Sequence, residues 1–267
     1  MAIDVWMQQP TDRLLQSPFI TSLHKWIPSI PRAAVSVEEV IQVLDEANVQ
    51  SALLSAWYGP QGPLISNEEV NAWTRQHPHR FFGIAGVDLR HPMEAIQTLR
   101  KCVHDCGFKG LRVIQWLWER PCTDALYYPL FAECVQLNIP VCLSVGLTGP
   151  LETSETGRPL HVERVALDFP DLQIVCGHLG YPWQQEMIAF ATKLPNVYID
   201  TSAYKCKRFP AEIVNYMNTN GRKKVMFGSN YPMITPAECL ADLATLGLKD
   251  DAAEDFLVNN AKQVFKI

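Results

Sequence analysis

The sequence has no excess of positive charge and no long hydrophobic run. Its 267 residues carry 23 Lys and Arg against 28 Asp and Glu, a formal net charge of −5. We expect no nucleic-acid partner, because a phosphate backbone is bound by an excess of Lys and Arg that displaces counterions. No apolar stretch reaches about 18 residues, so no membrane contact is predicted. The N-terminus shows no basic segment followed by an apolar one, which predicts a cytoplasmic protein.

The eight cysteines are not spaced in the way that is typical of metal sites or redox motifs. None forms C-x-x-C, and no Cys pair with nearby His has zinc-finger spacing. Cys142 in PVCLSV and Cys176 in QIVCG lie in apolar runs, where Cys behaves as a small hydrophobic residue. We therefore predict free, mostly buried thiols. The glycine-rich fingerprints of P-loop and dinucleotide-binding folds are absent as well.

Apolar, β-branched runs recur along the chain, and each is followed by an amphipathic stretch. The predicted strands are residues 3–7, 51–57, 81–88, 109–115, 140–145, 173–178, 197–202 and 224–230. Near-continuous apolar runs are typical of parallel strands that are buried on both faces. Eight strands alternating with helices in a chain of this length predict an α/β fold, a single (β/α)8 TIM barrel. We expect one domain over residues 1–267.

Helix signals fill the stretches between these runs. Ser36 with Glu39, and Ser66 with Glu69, match the capping box, in which a hydroxyl and a carboxylate satisfy each other's free amides. The segment 8–35 between the first strand and the first helix is the main irregularity. Loops of that length in a compact domain usually serve a site.

In TIM barrels the chemistry lies at the carboxyl ends of the strands. Polar and aromatic residues stand there in this sequence: Trp6, Gln8, Ser55, Trp57, Tyr58, Asp88, Arg112, Gln115, Trp116, Ser144, His178, Asp200, Ser202, Asn230 and Tyr231. Aromatic walls with a few polar groups are typical of a pocket for a small, flat ligand. Tyr181 and Trp183 add to this aromatic density.

His178 and Arg112 are the two most informative candidates. His178 follows the apolar run LQIVCG and could act as a general acid or base, or simply bond a carbonyl at the barrel rim. Arg112 lies within an apolar strand, where a buried guanidinium needs partners. It could bind an anionic substrate group through its planar fork. It could equally pair with a structural carboxylate, for which the sequence offers Asp88, Asp200 or Glu119.

Three segments resemble the amidohydrolase-related family, which includes aminocarboxymuconate semialdehyde decarboxylases, hydroxybenzoate decarboxylases and pyrone-dicarboxylate lactonases. They are GHLGYPW (177–183), VYIDTSAY (197–204) and MFGSNYP (226–232). The resemblance runs through the whole chain in the same order. It implies a TIM barrel with a catalytic histidine after the sixth strand, which here is His178.

The resemblance also implies a metal site, and this chain departs from it. Family members that bind a metal use a His-x-His on the first strand, a His on the fifth and an Asp on the eighth. The matching positions hold Trp6 and Gln8, Ser144, and Asn230. None is a usual ligand, because the Trp N–H only donates and neutral Gln, Ser and Asn bind Zn²⁺ weakly. We predict no metal and no other cofactor.

These residues predict an enzyme acting on a small molecule. Our main prediction is a metal-independent hydrolase of a carboxylated or cyclic ester, with His178 as general base, Asn230 polarising the carbonyl and Arg112 holding a carboxylate. A metal-independent decarboxylase of an aromatic or unsaturated acid is one alternative, and a non-catalytic ligand-binding barrel is another. The predicted substrate-binding residues are Trp6, Gln8, Tyr58, Trp116, Ser144, Tyr181 and Trp183. Self-association is left open, since many barrels form oligomers.

Overall fold

The computed structural model describes residues 1–267 and contains ten strands and twelve α-helices. The strands are β1 (Ala2–Met7), β2 (Val49–Ser55), β3 (Trp57–Gly59), β4 (Gly62–Ile65), β5 (Phe81–Ile84), β6 (Leu111–Val113), β7 (Val141–Ser144), β8 (Ile174–Gly177), β9 (Val197–Asp200) and β10 (Val225–Met226). The helices are α1 (Asp12–Leu15), α2 (Pro18–Leu23), α3 (Val37–Glu46), α4 (Asn67–Gln76), α5 (Pro92–His104), α6 (Tyr128–Leu137), α7 (Pro159–Asp168), α8 (Gln184–Lys193), α9 (Ala211–Met217), α10 (Pro236–Leu240), α11 (Asp250–Glu254) and α12 (Asn260–Phe265).

Eight of the strands form a closed parallel barrel. β1, β2 and β5 pair in that order, and β6 to β10 pair in chain order as a second sheet. Two isolated parallel bridges, Ala85 with Leu111 and Met7 with Tyr231, join the two sheets at both edges. The predicted TIM barrel is therefore confirmed.

The structure corrects several predicted boundaries. The strand predicted over 224–230 pairs only at Val225–Met226, because the chain then turns out of the ladder. The segment 57–65 forms an antiparallel hairpin, β3–β4, which we did not predict because Pro63 and two glycines made it resemble a loop. Both capping boxes are confirmed, at the starts of α3 and α4.

The barrel interior is an apolar layer with one exception. Its side chains come from strands all around the circle and are closed off at the base by the C-terminal helix α12: Ile3, Val5, Leu53, Ile84, Cys142, Val175, Tyr198, Met226, Val264 and Phe265. Arg112 of β6 is in register with Cys142, which is in register with Val175. Arg112 therefore stands in the same layer as these apolar side chains and supplies its only cation.

All eight cysteines are free, and seven of them are buried. None of the helices is both long enough and apolar enough to cross a membrane. Most of the remaining apolar side chains form a larger core of 59 buried residues, centred between the barrel wall and the outer helices.

Candidate active site

A cavity of about 230 Å³ opens at the carboxyl ends of the barrel strands. Its polar lining includes four of the predicted site residues, Arg112, Ser144, His178 and Asn230. Its apolar wall is built from Trp57, Trp116, Met233, Ile234, Leu147 and the segment that carries Ile20, Leu23, Trp26 and Ile27. The long segment after β1 thus covers the cavity, as its length led us to expect.

Arg112 is held by neutral groups alone. Its Nη1 donates to Gln8 Oε1 at 3.0 Å and to Ser55 Oγ at 2.7 Å. Its Cζ lies 3.8 Å from the centroid of the Trp6 ring and 5.1 Å from that of Trp57. Cation–π contacts of this kind favour a guanidinium in a desolvated place.

None of the carboxylates that the sequence offered as partners forms an ion pair with Arg112. Asp88 binds Arg90, with Oδ1 2.9 Å from its Nε. Asp200 Oδ1 accepts the backbone N–H of Ser202 at 2.7 Å. Glu119 stands at a left-handed turn after the 3₁₀ turn Gln115–Trp118. The structural ion pair considered for Arg112 is therefore absent, and the guanidinium faces the cavity without a counterion.

Burial shapes the charge of the groups around this cation. Desolvation lowers the pKa of Arg112 to about 9, against the opposing effects of Cys142 and Asp200, so the guanidinium stays charged at neutral pH. Desolvation also raises the pKa of the Asp4 and Asp200 carboxyls to about 7. Both carboxyls lie below the site and bond backbone amides. The positive charge of Arg112 is therefore only partly offset.

His178 presents one ring nitrogen to the cavity. It follows β8 in a left-handed backbone conformation, with φ of 66°. Its Nδ1 lies 2.9 Å from Ser202 Oγ and 3.3 Å from the Ser202 carbonyl oxygen, and its backbone N–H donates to Ser202 Oγ at 3.2 Å. Since Ser202 occupies Nδ1, Nε2 is the atom left to face a ligand. The edge of the ring also contacts Trp6.

The imidazole is neutral at pH 7 in the free protein. Desolvation lowers the pKa of His178 to about 4, and the positive charge of Arg112 lowers it further, while the bond to the Ser202 carbonyl opposes both. An anion bound to Arg112 would cancel the second of these causes. Ligand charge and the protonation of His178 are therefore linked through Arg112.

Gln8 connects Arg112 to Asn230. The Gln8 side chain is fully buried; its Oε1 accepts from Arg112, and its Nε2 donates to Asn230 Oδ1 at 3.0 Å and to the Tyr231 carbonyl oxygen at 2.7 Å. This bond uses the acceptor of Asn230, so the Asn230 Nδ2 donor is left for the cavity. Gln8 thus acts as a bridge behind the site.

Ser144 supplies a second free donor. Its backbone N–H donates to Gln115 Oε1 at 3.0 Å. Its Oγ is buried and has no partner in the chain, although the residue lines the cavity. A buried hydroxyl without a partner costs free energy, so the site is prepared for a polar ligand atom at this point.

The predicted aromatic residues lie in four places relative to the cavity. Trp116 lines the cavity, and Trp6 lies behind it, under the Arg112 guanidinium. Tyr181 lines an outer extension of the cavity beside Tyr204, with ring centroids 5.4 Å apart.

Tyr58 and Trp183 lie away from the cavity. The Tyr58 hydroxyl meets the Asn67 side chain, because neighbouring residues of β3 point to opposite sides and Trp57 is the one that faces inward. Trp183 packs against the Arg158 guanidinium at 5.0 Å. The structure therefore gives neither of these two side chains a contact with a ligand in the cavity.

Three residues at strand ends were not among our predicted catalytic or substrate-binding residues, yet they contact Arg112 or His178. Ser55 and Trp57 contact Arg112, and Ser202 holds His178. All three stand just after apolar runs, so the sequence signal was present. The sequence did not show which residue each of them contacts, because the partners lie far apart in the chain.

The residues at the family's metal positions do not fit a divalent cation. Trp6, Gln8, Ser144 and Asn230 offer no carboxylate, imidazole or thiolate. Nowhere in the chain do three His, Cys, Asp or Glu side chains come together in a way that could hold a metal ion. We therefore derive no chemistry from a metal.

Comparisons with known proteins agree with this architecture. A family profile described as Amidohydrolase matches residues 32–267. The chain is 26% identical over 243 residues to the 2-amino-3-carboxymuconate-6-semialdehyde decarboxylase of Dictyostelium discoideum, covering 78% of this chain and 67% of that protein.

Solved structures have the same fold. An uncharacterized TIM-barrel protein from Bordetella bronchiseptica superposes with a TM-score of 0.86 at 24% identity, covering 99% of this chain and 98% of that one. A dihydroxybenzoic acid decarboxylase from Polaromonas, with bound manganese and the inhibitor 2-nitroresorcinol, gives 0.78 at 16% identity, covering 99% and 96%. With the family match spanning most of its length, this chain is a member of the amidohydrolase family.

Proposed function

We propose that the protein is a decarboxylase of a small aromatic or unsaturated acid. The observation that carries this proposal is the buried Arg112 guanidinium, which faces an apolar cavity without a counterion and stands beside a neutral imidazole. The named relatives, which are decarboxylases, support this alternative better than our main prediction of a hydrolase. They also weigh against a non-catalytic barrel.

Arg112 is proposed to bind the carboxylate of the substrate. Its Nη1 is used by Gln8 and Ser55, whereas its Nε has no partner in the chain. A carboxylate matches the planar fork of a guanidinium and would supply the missing counterion. Trp57 and Trp116 form the nearby wall, which suits the flat face of an aromatic or conjugated acid.

His178 is proposed to deliver the proton that replaces the carboxylate. When the substrate carboxylate offsets the charge of Arg112, the pKa of His178 rises and Nε2 can take up a proton from the bulk solvent. The imidazolium then protonates the carbon that bears the carboxylate. The bond from that carbon to the carboxylate breaks, its electron pair returns to the conjugated system, and CO2 leaves. One proton is consumed for each CO2 released.

Ser144 and Asn230 are proposed to orient the substrate. The free Ser144 Oγ and Asn230 Nδ2 can each bond an oxygen substituent of the acid, such as a ring hydroxyl. Polar groups of this kind set the position of a ligand in an otherwise apolar pocket.

The proposal is tested with a panel of hydroxybenzoic acids and short unsaturated acids, assayed for loss of ultraviolet absorbance and for release of CO2. Aryl esters and lactones form a parallel panel. We expect one molecule of CO2 for each acid consumed, and turnover at least about 30-fold weaker with the Arg112→Met variant. Hydrolysis of a lactone or ester with no acid decarboxylated would overturn the proposal in favour of a hydrolase. Tight binding of acids that stay intact would favour the non-catalytic barrel.

A further inference from the structure

The positions that match the family's metal ligands surround one side chain in this structure. Gln8 Oε1 accepts from the Arg112 guanidinium, and the Trp6 ring lies under it at 3.8 Å. Ser144 and Asn230 line the same cavity as Arg112. A positive charge therefore already stands among these positions, fixed to the protein by β6.

The packing around the guanidinium leaves no suitable place for a second cation. Gln8 Oε1, a neutral oxygen that could approach an ion, is already used by Arg112. The Trp6 indole packs so closely against Gly177 that a Cβ there would lie 2.9 Å from the ring. A divalent ion within a few ångströms of the guanidinium would also be repelled, with no nearby carboxylate aimed at the cavity to offset the charge.

The anchoring of Arg112 fits a permanent cation rather than a structural ion pair. It shares the barrel interior with apolar side chains such as Cys142 and Val175. Burying an unpaired charge in such a layer is costly unless hydrogen bonds and a ligand compensate for it. Two hydrogen bonds and two aromatic faces give partial compensation and leave the outer side of the fork open to the cavity.

We propose that the Arg112 guanidinium takes the place of a divalent metal as the resident positive charge of this site, so that the protein binds its anionic ligand without a metal ion. The manganese-bound decarboxylase from Polaromonas places an ion in the same fold. In this chain the cation is covalently attached and cannot be removed by chelation. This inference concerns the cation alone, and it holds whether the reaction is decarboxylation or hydrolysis.

The decisive experiment uses the full-length protein produced in medium supplemented with manganese and zinc. We measure its metal content by elemental analysis, and its Tm in EDTA, MnCl2 and ZnCl2. We expect far less than one metal ion per chain and the same Tm in all three conditions. A metal present at about 100 times its Kd would raise Tm by roughly 5–10 °C. One bound ion per chain, lost in EDTA together with a fall in Tm, would overturn the proposal.

A second measurement follows ligand binding, so that it does not depend on turnover. We titrate 2-nitroresorcinol and benzoate into the protein in EDTA, and compare Arg112→Met with Arg164→Met, which removes a surface arginine paired with Asp168 outside the barrel. We expect the Arg112 variant to bind benzoate at least tenfold more weakly, and the Arg164 variant to match the parent. Benzoate binding that needs added Mn²⁺, or that survives in Arg112→Met, would contradict the proposal. Decarboxylation could still fail in either case, so the two proposals are separable.

Discussion

The two ends of the barrel carry opposite chemistry although the same eight strands form both. At the base, Val264 and Phe265 of α12 close an interior lined by apolar side chains. At the carboxyl end, Ser144, His178 and Asn230 face a cavity, and Arg112 reaches up from the interior layer to join them. The apolar base stabilises the fold. At the carboxyl end, the Ser144 hydroxyl has no hydrogen-bond partner and the Arg112 cation has no counterion. That contrast identifies the functional end of the molecule without reference to any relative.

Arg112→Met should produce the largest loss of activity. Truncating one partner of a buried charge contact costs about 2–5 kcal/mol, so we expect kcat/KM to fall roughly 30-fold to several thousandfold. The same change should alter Tm little, because the gain from replacing a buried charge by an apolar side chain is offset by the loss of the donor to the buried Gln8 and Ser55 oxygens. The control is Arg100→Met, which removes a surface partner of Glu133. A loss of Tm together with normal activity would show that Arg112 belongs with the base of the barrel.

His178→Ala should come next. A positioned general acid contributes roughly 100-fold or more to the rate, so kcat should fall by that factor while the protein remains folded. The comparison is His104→Ala, at the end of α5 on the outside of the barrel. The test is to measure kcat of both variants with the same acid. A near-normal kcat for His178→Ala would remove this residue from the mechanism.

The buried carboxyl groups below the site predict a dependence of stability on pH. Desolvation raises the folded-state pKa of Asp200 from its ordinary value of 3.8 to about 7. The contribution of this group to stability is therefore fully present below about pH 4 and is lost as the pH rises through 7, because only the folded state keeps the proton.

Asp200→Asn isolates this contribution. It keeps the oxygen that accepts from Ser202 and removes the titration, so we expect it to be more stable than the parent by about 2 kcal/mol at pH 8. Urea denaturation curves measure the free energy of unfolding of both proteins, and at pH 4.5 they should show a smaller difference between the variant and the parent. Asp88→Asn, at a surface group whose pKa Arg90 lowers, should bring no gain at pH 8. Greater stability of the parent than of Asp200→Asn at pH 8 would contradict the assigned burial cost.

Ser202→Ala should have the smallest effect. Ser202 does not line the cavity; it holds His178 Nδ1 and so sets which ring nitrogen faces the ligand. Losing one such hydrogen bond is worth about 1 kcal/mol, so kcat should fall roughly fivefold. The pH profile of kcat should shift at the same time, and Ser202→Thr should restore both. An unshifted profile would leave Ser202 with a purely structural role.

The sequence predicted those parts of the molecule that local chemistry controls. The capping boxes at Ser36 and Ser66, and the strand cores such as Val141–Ser144, follow from short-range patterns, and the structure contains them. The β3–β4 hairpin was missed because Pro63 and its flanking glycines are turn residues in most contexts. Here they form the tight turn of a hairpin in which Trp57 pairs with Ile65 and Tyr58 with Pro63.

The sequence predicted which strand ends contribute residues to the site, but not which of these residues form hydrogen bonds with one another. His178, Ser144 and Asn230 reach the cavity because the barrel rule applies to each of them alone. Tyr58 was selected in place of Trp57, since which of two adjacent residues faces inward depends on register. The partners of Arg112 are Gln8 and Ser55, which lie 104 and 57 residues away in the chain, so no local pattern could distinguish them from Asp88, Asp200 or Glu119.

The most direct test of the central claim is a crystal structure with a bound aromatic acid, recorded with anomalous data for manganese and zinc. We expect the acid's carboxylate oxygens within about 3 Å of the Arg112 guanidinium nitrogens, His178 Nε2 facing the carbon that bears the carboxylate, and no anomalous peak in the cavity. A carboxylate turned toward the cavity mouth, or held by a metal ion among Gln8, Ser144 and Asn230, would contradict it.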